Sequence, residues 1–199
     1  ADPQCRILIS NTTEAGITYV DEPVTLKTCP QSFPGKILAV LKQRYQTFHG
    51  QRDQGFEILC CELIENNGDT LKDIVCRKAR EQGEPQAFLD WIEAANHFYN
   101  TLVDRIVPGY PKELAAALEA ELGYHDVYLV KGEIYHSWVI QGDPSLTSVL
   151  PLDKLNENII FTRDLTPYRD RKVAILNGSH TCMVPLGLLA GLETVKETV

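Results

Sequence analysis

No apolar run in this chain approaches the length needed to span a bilayer, and no basic stretch leads into an apolar one. A membrane anchor and a secretory leader fall outside the expectation, which is a soluble, cytoplasmic protein. Excess positive charge is also missing: 19 Lys and Arg stand against 27 Asp and Glu, a formal net charge of −8. Phosphate backbones are held by clustered Lys and Arg, so a broad nucleic-acid surface is excluded. The 6 cysteines (Cys5, Cys29, Cys60, Cys61, Cys76 and Cys182) contain no C-x-x-C pair and no spacing typical of a small disulfide framework. Cys60 and Cys61 lie in the apolar run "FEILCCELI", where thiols act as small core side chains. Reduced structural thiols are the expectation. Internal repeats and low-complexity segments are absent.

What is present reads as alternating strands and helices. "CRILISN" predicts a buried strand over Arg6 to Ser10, and "FPGKILAVLKQRYQTF" an amphipathic helix begun near Pro34. "GFEILCCELI" predicts a second buried strand, and "NGDTLKDIVCRKAREQG" a helix opening at Asn67 or Asp69 and stopping at Gly83. Strand, helix, strand, helix marks an α/β domain with a parallel sheet. Beyond this, "QAFLDWIEAANHF" reads as a helix, "NTLVDRIVPGYP" as a short extended stretch, and "PKELAAALEAELG" as a helix closed by Gly123. "VYLVKGEIYHSWVIQGD" reads as two strands joined near Lys131 and Gly132, and "NIIFTRDL" as another strand. "TPYRDRKVAILNGSHTCMV" is the last long helix, with Thr166 as N-cap and Pro167 in its first turn. Both chain ends read as interior to something longer: a strand starts almost at once, and "GLETVKETV" stops in helical pattern.

The last helix carries polar side chains among apolar ones. On a wheel of ~100° per residue, with Lys172 at zero, His180 falls near ~80° and Asn177 near ~140°. The three share one broad face, and the rest of the helix is apolar nearly all round, which predicts a buried helix. Desolvation disfavours a charged amine, so a lysine in such a place is suited to acid/base chemistry. A snorkelling lysine and a core histidine account for the same pattern. "CELIENNGD" puts Asn66 and Asn67 just past the end of a strand, where open α/β sheets bind ligands and where an amide can steady a developing alkoxide. A plain Asn-Gly turn is the alternative. "ISNTTEAG" ends the first strand with a third polar site at Asn11 and Thr12.

Lys172, Asn177 and His180 fit the K-x4-N-x2-H pattern of the polyol-specific long-chain dehydrogenases, the mannitol dehydrogenase family. "SNTTEAGI", "CELIENNGDTLKDIV", "NTLVDRIVPGYP", "LTPYRDRKVAILNGSHT" and "LAGLETV" together resemble its sugar-acid branch, collinearly over nearly the whole chain. The resemblance implies the C-terminal part of a Rossmann-type nucleotide-binding domain over residues 1–165, then the start of a mainly helical domain over 166–199. On this reading the chain is a fragment of a longer enzyme, because the G-x-G-x-x-G fingerprint and its acidic partner are not in it. It also implies metal-independent hydride transfer between NAD and a secondary alcohol, with a small sugar acid as substrate. Reduction of tagaturonate leads, and fructuronate and fructose are the alternatives.

Within that resemblance Lys172 is the general acid/base, Asn177 and Asn67 stabilise the oxyanion, and His180 orients the substrate. Asn11, Thr12 and Glu14 line the cofactor side. Asn66, Asn100, Asp104 and Arg169 fall on the substrate side, and Arg169 stands where mannitol dehydrogenases often carry Glu. No metal, nucleic acid or membrane is implied, and the rest of the parent chain is the partner that completes the fold. An enzyme requires Lys172, Asn177, His180 and Asn67 to surround one cavity, whereas a non-catalytic scaffold of the same fold does not.

Overall fold

The computed structural model describes residues 2–142 and 146–199. In chain order it runs β1 (Ile7–Ser10), α1 (Phe33–Thr47), β2 (Glu57–Cys60), α2 (Asn67–Glu81), α3 (Gln86–Ala95) and β3 (His97–Asp104). There follow α4 (Ala115–Leu122), β4 (Ser137–Gln141), α5 (Leu146–Val149), β5 (Ile159–Thr162) and α6 (Thr166–Arg171). A π-helical turn over Lys172–Asn177 leads into α7 (Gly178–Leu189), and α8 (Val195–Thr198) ends the chain. The strands form one sheet in the order β1-β2-β3-β4-β5. β1, β2 and β3 are parallel, β3 and β4 antiparallel, and β4 and β5 parallel. The α/β class and the parallel half of the sheet are therefore as the sequence reads.

Helices α1 to α3 cover one face of the parallel strands. Ile37, Leu38 and Leu41 of α1 meet Leu71 and Val75 of α2, Phe88 and Ile92 of α3, and Ile58 of β2. Each such side chain contributes about 1.5–3 kcal/mol on full burial. The other face carries a smaller cluster of Leu59, Ile140, Leu146 and Leu150. Strand β2 lies between two partners and is buried at all its positions, as a central parallel strand should be. β1 lies at the edge, so Ile7 and Ile9 are exposed where full burial was expected.

Several boundaries differ from the sequence expectation, each for a local reason. α3 stops at Ala95 rather than running on to Phe98, because the Asn96 side chain redirects the chain. Its Oδ1 accepts from Phe56 N at 2.9 Å, and its Nδ2 donates back to Trp91 O and Ile92 O. His97 is thereby freed to begin β3. α4 starts at Ala115 after a turn on the Pro111 carbonyl, and Gly123 closes it in the left-handed conformation at φ 79°. Of the two strands expected in 127–143 the first does not form, and Lys131 makes one isolated bridge to Gly109. Thr166 is the first helical residue rather than the cap, which is Leu165. The last helix is widened at Lys172–Asn177, and it is exposed rather than buried: Val173, Ile175, Leu186 and Leu189 all face solvent.

The cysteines divide by burial. Cys60, Cys61 and Cys76 are in the core, Cys5, Cys29 and Cys182 are exposed, and none is paired. Burial pushes the Cys60 thiol up to about 12 and raises Cys61 and Cys76, which makes them packing residues rather than nucleophiles.

The junction of β2, α2 and β3 is tied by the Asn67 amide. Its Nδ2 donates to Glu62 O and Thr101 O, both at 2.9 Å, while its Oδ1 accepts from Thr101 N and Gly68 N. Gly68 is required beside it, since a Cβ there would sit 2.5 Å from the Tyr99 carbonyl carbon. Asn67→Ala strands buried backbone groups, and a loss of about 3 kcal/mol is expected in urea unfolding. A loss below about 1 kcal/mol would contradict this account.

A second polar tie fixes the start of α1. Glu22 accepts from Gln31 N at 2.7 Å, Ser32 N at 3.0 Å and the Ser32 hydroxyl, with Lys78 Nζ at 3.9 Å. Burial alone raises this carboxyl, but the Ser32 and backbone hydrogen bonds and the Lys78 charge outweigh it and set it below its ordinary 4.5. A carboxyl lowered on folding stabilises the fold above its unfolded pKa and loses that effect as pH falls through the folded value. Glu22→Gln should therefore be less stable than the parent at neutral pH, with the gap closing in acid. Urea midpoints across pH check this, and a gap that stays constant speaks against it.

Candidate active site

β1 and β2 end level with each other at Ser10 and Cys60, opposite Asn100, and β3 runs on past them to Asp104. One buried carboxylate organises the loops that leave them. Glu62, 2 % exposed, accepts from Ser10 Oγ at 3.1 Å, Thr12 N at 3.0 Å and Thr12 Oγ1 at 2.8 Å. Three donors satisfy a charge that burial would otherwise make costly. The loop carrying Asn11 and Thr12 is thereby fixed over the strand ends.

Side chains of the β3–β4 ladder alternate between two cavities, as a pleated pair must. One cavity, of about 320 Å³, takes Leu102, Asp104, Ser137 and Val139 from the ladder and Tyr168, Arg171, Lys172, Leu176 and His180 from the last helix. The other, of about 340 Å³, has Ile9, Cys61, Val103 and Trp138 as an apolar floor and Asn11, Arg105 and His136 among its polar lining. Asp104 and Ser137, which face each other in register, line both. Both volumes are within the range of small-molecule pockets.

Lys172 reaches across from the helix to the sheet. Its Nζ donates to Val103 O at 2.8 Å and stands 3.3 Å from Asp104 Oδ1, with the side chain 15 % exposed. An ammonium has three protons, so one remains beyond these two partners. His180 Nδ1 lies 2.8 Å from Leu176 O. A carbonyl can only accept, so Nδ1 carries the proton and Nε2 is the nitrogen available to a bound molecule. One residue further on, Thr181 Oγ1 donates to Asn177 O at 2.9 Å.

Lys172, His180 and Asp104 are thus brought together. The remaining expected site residues are distributed differently. Asn177 is exposed and is not among the residues lining the cavity. Asn67 is buried with both amide protons given to carbonyls, so donating to a substrate would require it to release them. Asn66 is exposed at the N-cap of α2 in the left-handed conformation, φ 50°. Asn100 faces a third groove and holds Asp69: its Oδ1 accepts from Asp69 N at 3.0 Å and its Nδ2 donates to Asp69 Oδ2 at 2.8 Å. Arg169 pairs with Glu65, stands 3.6 Å from Asp170, and does not line the Lys172 cavity. Asn11 lines the second cavity, Thr12 is held by Glu62, and Glu14 is exposed and lines neither cavity.

Tyr135, Ser137, Tyr168, Arg171 and Glu62 were not singled out from the sequence. Ser137 becomes visible only through its register with Asp104. Arg171 had a local signal, adjacency to Lys172, that its more prominent neighbour Arg169 obscured. Among the described residues no group of three or more His, Cys, Asp or Glu side chains is placed to hold a metal, and no helix is long and apolar enough to cross a membrane.

Comparison with known proteins bears on this geometry. Residues 1–154 match the mannitol dehydrogenase Rossmann domain, and residues 164–199 match the mannitol dehydrogenase C-terminal domain. Curated relatives include altronate oxidoreductases from Enterobacter sp. (strain 638) and Klebsiella pneumoniae (strain 342), each 48% identical over 198 residues. Another, from Escherichia coli O7:K1, is 47% identical over the same length. Each alignment covers 100% of this chain and 41% of the relative, so the chain spans under half the length of these relatives. Among solved structures, Pseudomonas fluorescens mannitol 2-dehydrogenase in ternary complex with NAD and D-mannitol superposes with TM-score 0.68 at 29% identity, covering 99% of this chain and 41% of that one. A substrate-free D-sorbitol dehydrogenase, at 24% identity and covering 99% of this chain and 42% of that one, shares the fold with TM-score 0.73. The chain therefore belongs to the mannitol dehydrogenase family.

Proposed function

We propose that the whole protein reduces D-tagaturonate to D-altronate with NADH, a reversible ketone reduction in hexuronate breakdown. The observation that carries this reading is Lys172 Nζ, held by Val103 O and Asp104 in a cavity shared with His180. The substrate is supported by relatives at 47–48% identity named altronate oxidoreductase. NAD is supported by the solved mannitol 2-dehydrogenase complex. A cytoplasmic setting is supported by the 6 unpaired cysteines. We place the domain division between residues 165 and 166, where β5 gives way to α6.

The second cavity fits a nicotinamide ring, since its floor is apolar and Asn11 offers an amide at its edge. Asn11, at that edge, and Thr12, kept in place by Glu62, form the cofactor side in this reading, with Glu14 further out on the same loop. A bound NADH supplies the hydride. Negative charge then grows on the substrate oxygen, and Lys172 gives it a proton while Asp104 keeps the amine oriented. Donors fixed beforehand favour that charge more than the neutral ketone. His180 presents Nε2 to a neighbouring hydroxyl, whereas Asn177, exposed and outside the cavity lining, would have to turn toward the oxygen to act as a further amide donor.

Assay of the full-length protein with NADH against D-tagaturonate, D-fructuronate and D-fructose should give fastest turnover on tagaturonate. Absence of turnover on both uronates refutes the reading. Lys172→Ala should lower kcat by roughly 10²- to 10⁴-fold while NADH still binds in a fluorescence titration. A variant keeping most of its activity removes the proton-transfer role.

A further inference from the structure

We infer that Arg171 is the specificity-determining residue that receives the carboxylate of the sugar acid, an inference that rests on the substrate class proposed above. Arg171 lines the Lys172 cavity and is exposed to it. Among the described residues its guanidinium has no hydrogen-bond or ion-pair partner, and it lies 5.8 Å from the centroid of the Tyr168 ring. Tyr168 lines the same cavity as Arg171.

The charges in the cavity point the same way. Asp104 is the only carboxylate among its lining residues and is already engaged by Lys172. Arg171 is then an uncompensated cation in a cavity that has to take an anion. Arg169, the other arginine of "PYRDRK", is neutralised by Glu65 and Asp170 outside the cavity. In tagaturonate the carboxylate is at the far end of the chain from the ketone. The long arginine side chain suits that separation, because it leaves Lys172 free to work on the ketone oxygen. A guanidinium also matches a carboxylate with two parallel hydrogen bonds, which an ammonium cannot reproduce.

The test uses the full-length protein and compares kcat/KM for D-tagaturonate with that for D-tagatose, which has a hydroxymethyl group in place of the carboxylate. Arg171→Met should reduce the acid-over-neutral preference by roughly 10- to 100-fold, the loss of a charge-assisted hydrogen bond, expressed mainly in KM. Arg171→Lys should recover part of it. Competition by D-altronate, read without turnover, should weaken in parallel. An Arg171→Met enzyme that keeps its preference overturns the anchor alone, and equal losses on both sugars assign Arg171 a structural role instead. A wild-type enzyme with no preference for the acid overturns the sugar-acid reading and the anchor together.

Discussion

The contact between the Lys172 ammonium and the end of β3 is the interaction on which the site depends. An amine drawn out of water is costly unless its protons find partners. Here the Val103 carbonyl and the Asp104 carboxylate supply two. The same contact does two things at once. It ties the last helix to the sheet, and it leaves the amine, in the cavity that Lys172 lines, one proton beyond its two partners. Because both partners belong to β3, any slip in the register of that strand displaces the amine as well. That register is fixed in turn by the buried Asn67 amide, which holds Thr101 two residues before Val103.

This dependence gives the antiparallel strand β4 its importance. A parallel sheet alone would end at Asp104 with nothing opposite it. Pairing with β4 sets Ser137 against Asp104 and Trp138 against Val103, so that the ladder has two lined faces. One face looks to the helix and the other to the ends of β1 and β2. Asp104, at the end of the ladder, lines both cavities.

Much of this was legible in the sequence, and what was not has a common cause. The alternation of strands and helices over the first part of the chain follows from local periodicity, and so do Lys172 and His180, which lie within one helix. Asp104 emerged only through the resemblance. Glu62 and Asn96 were invisible because their significance lies in partners distant along the chain: Ser10 and Thr12 for one, Phe56 for the other. Asn67 was legible as an amide at a strand end, but the sequence does not reveal that both of its protons are committed to carbonyls. The last helix stands exposed among the described residues for a different reason. Apolarity on all sides states what a helix is able to bury, and burial itself requires a neighbour, which Val173, Leu186 and Leu189 do not find among the described residues.

The widened turn explains why the wheel placed Lys172 and His180 well and Asn177 poorly. Cavity-lining positions on the last helix advance in fours: Arg171, Ile175 and Ser179 in one row, Lys172, Leu176 and His180 in the next. At ~100° per residue each step of four overshoots a full turn by ~40°, so such rows wind away from a flat sheet. Over Lys172–Asn177 the bonding is to the fifth residue, as in Gly178 N to Val173 O, which lowers the rotation per residue and straightens both rows. Asn177 is in neither row and points elsewhere. In the same stretch the side chains of His180 and Thr181 hydrogen-bond to the carbonyls of Leu176 and Asn177. The widened turn keeps Arg171, Lys172 and His180 on one face, along the cavity that all three line.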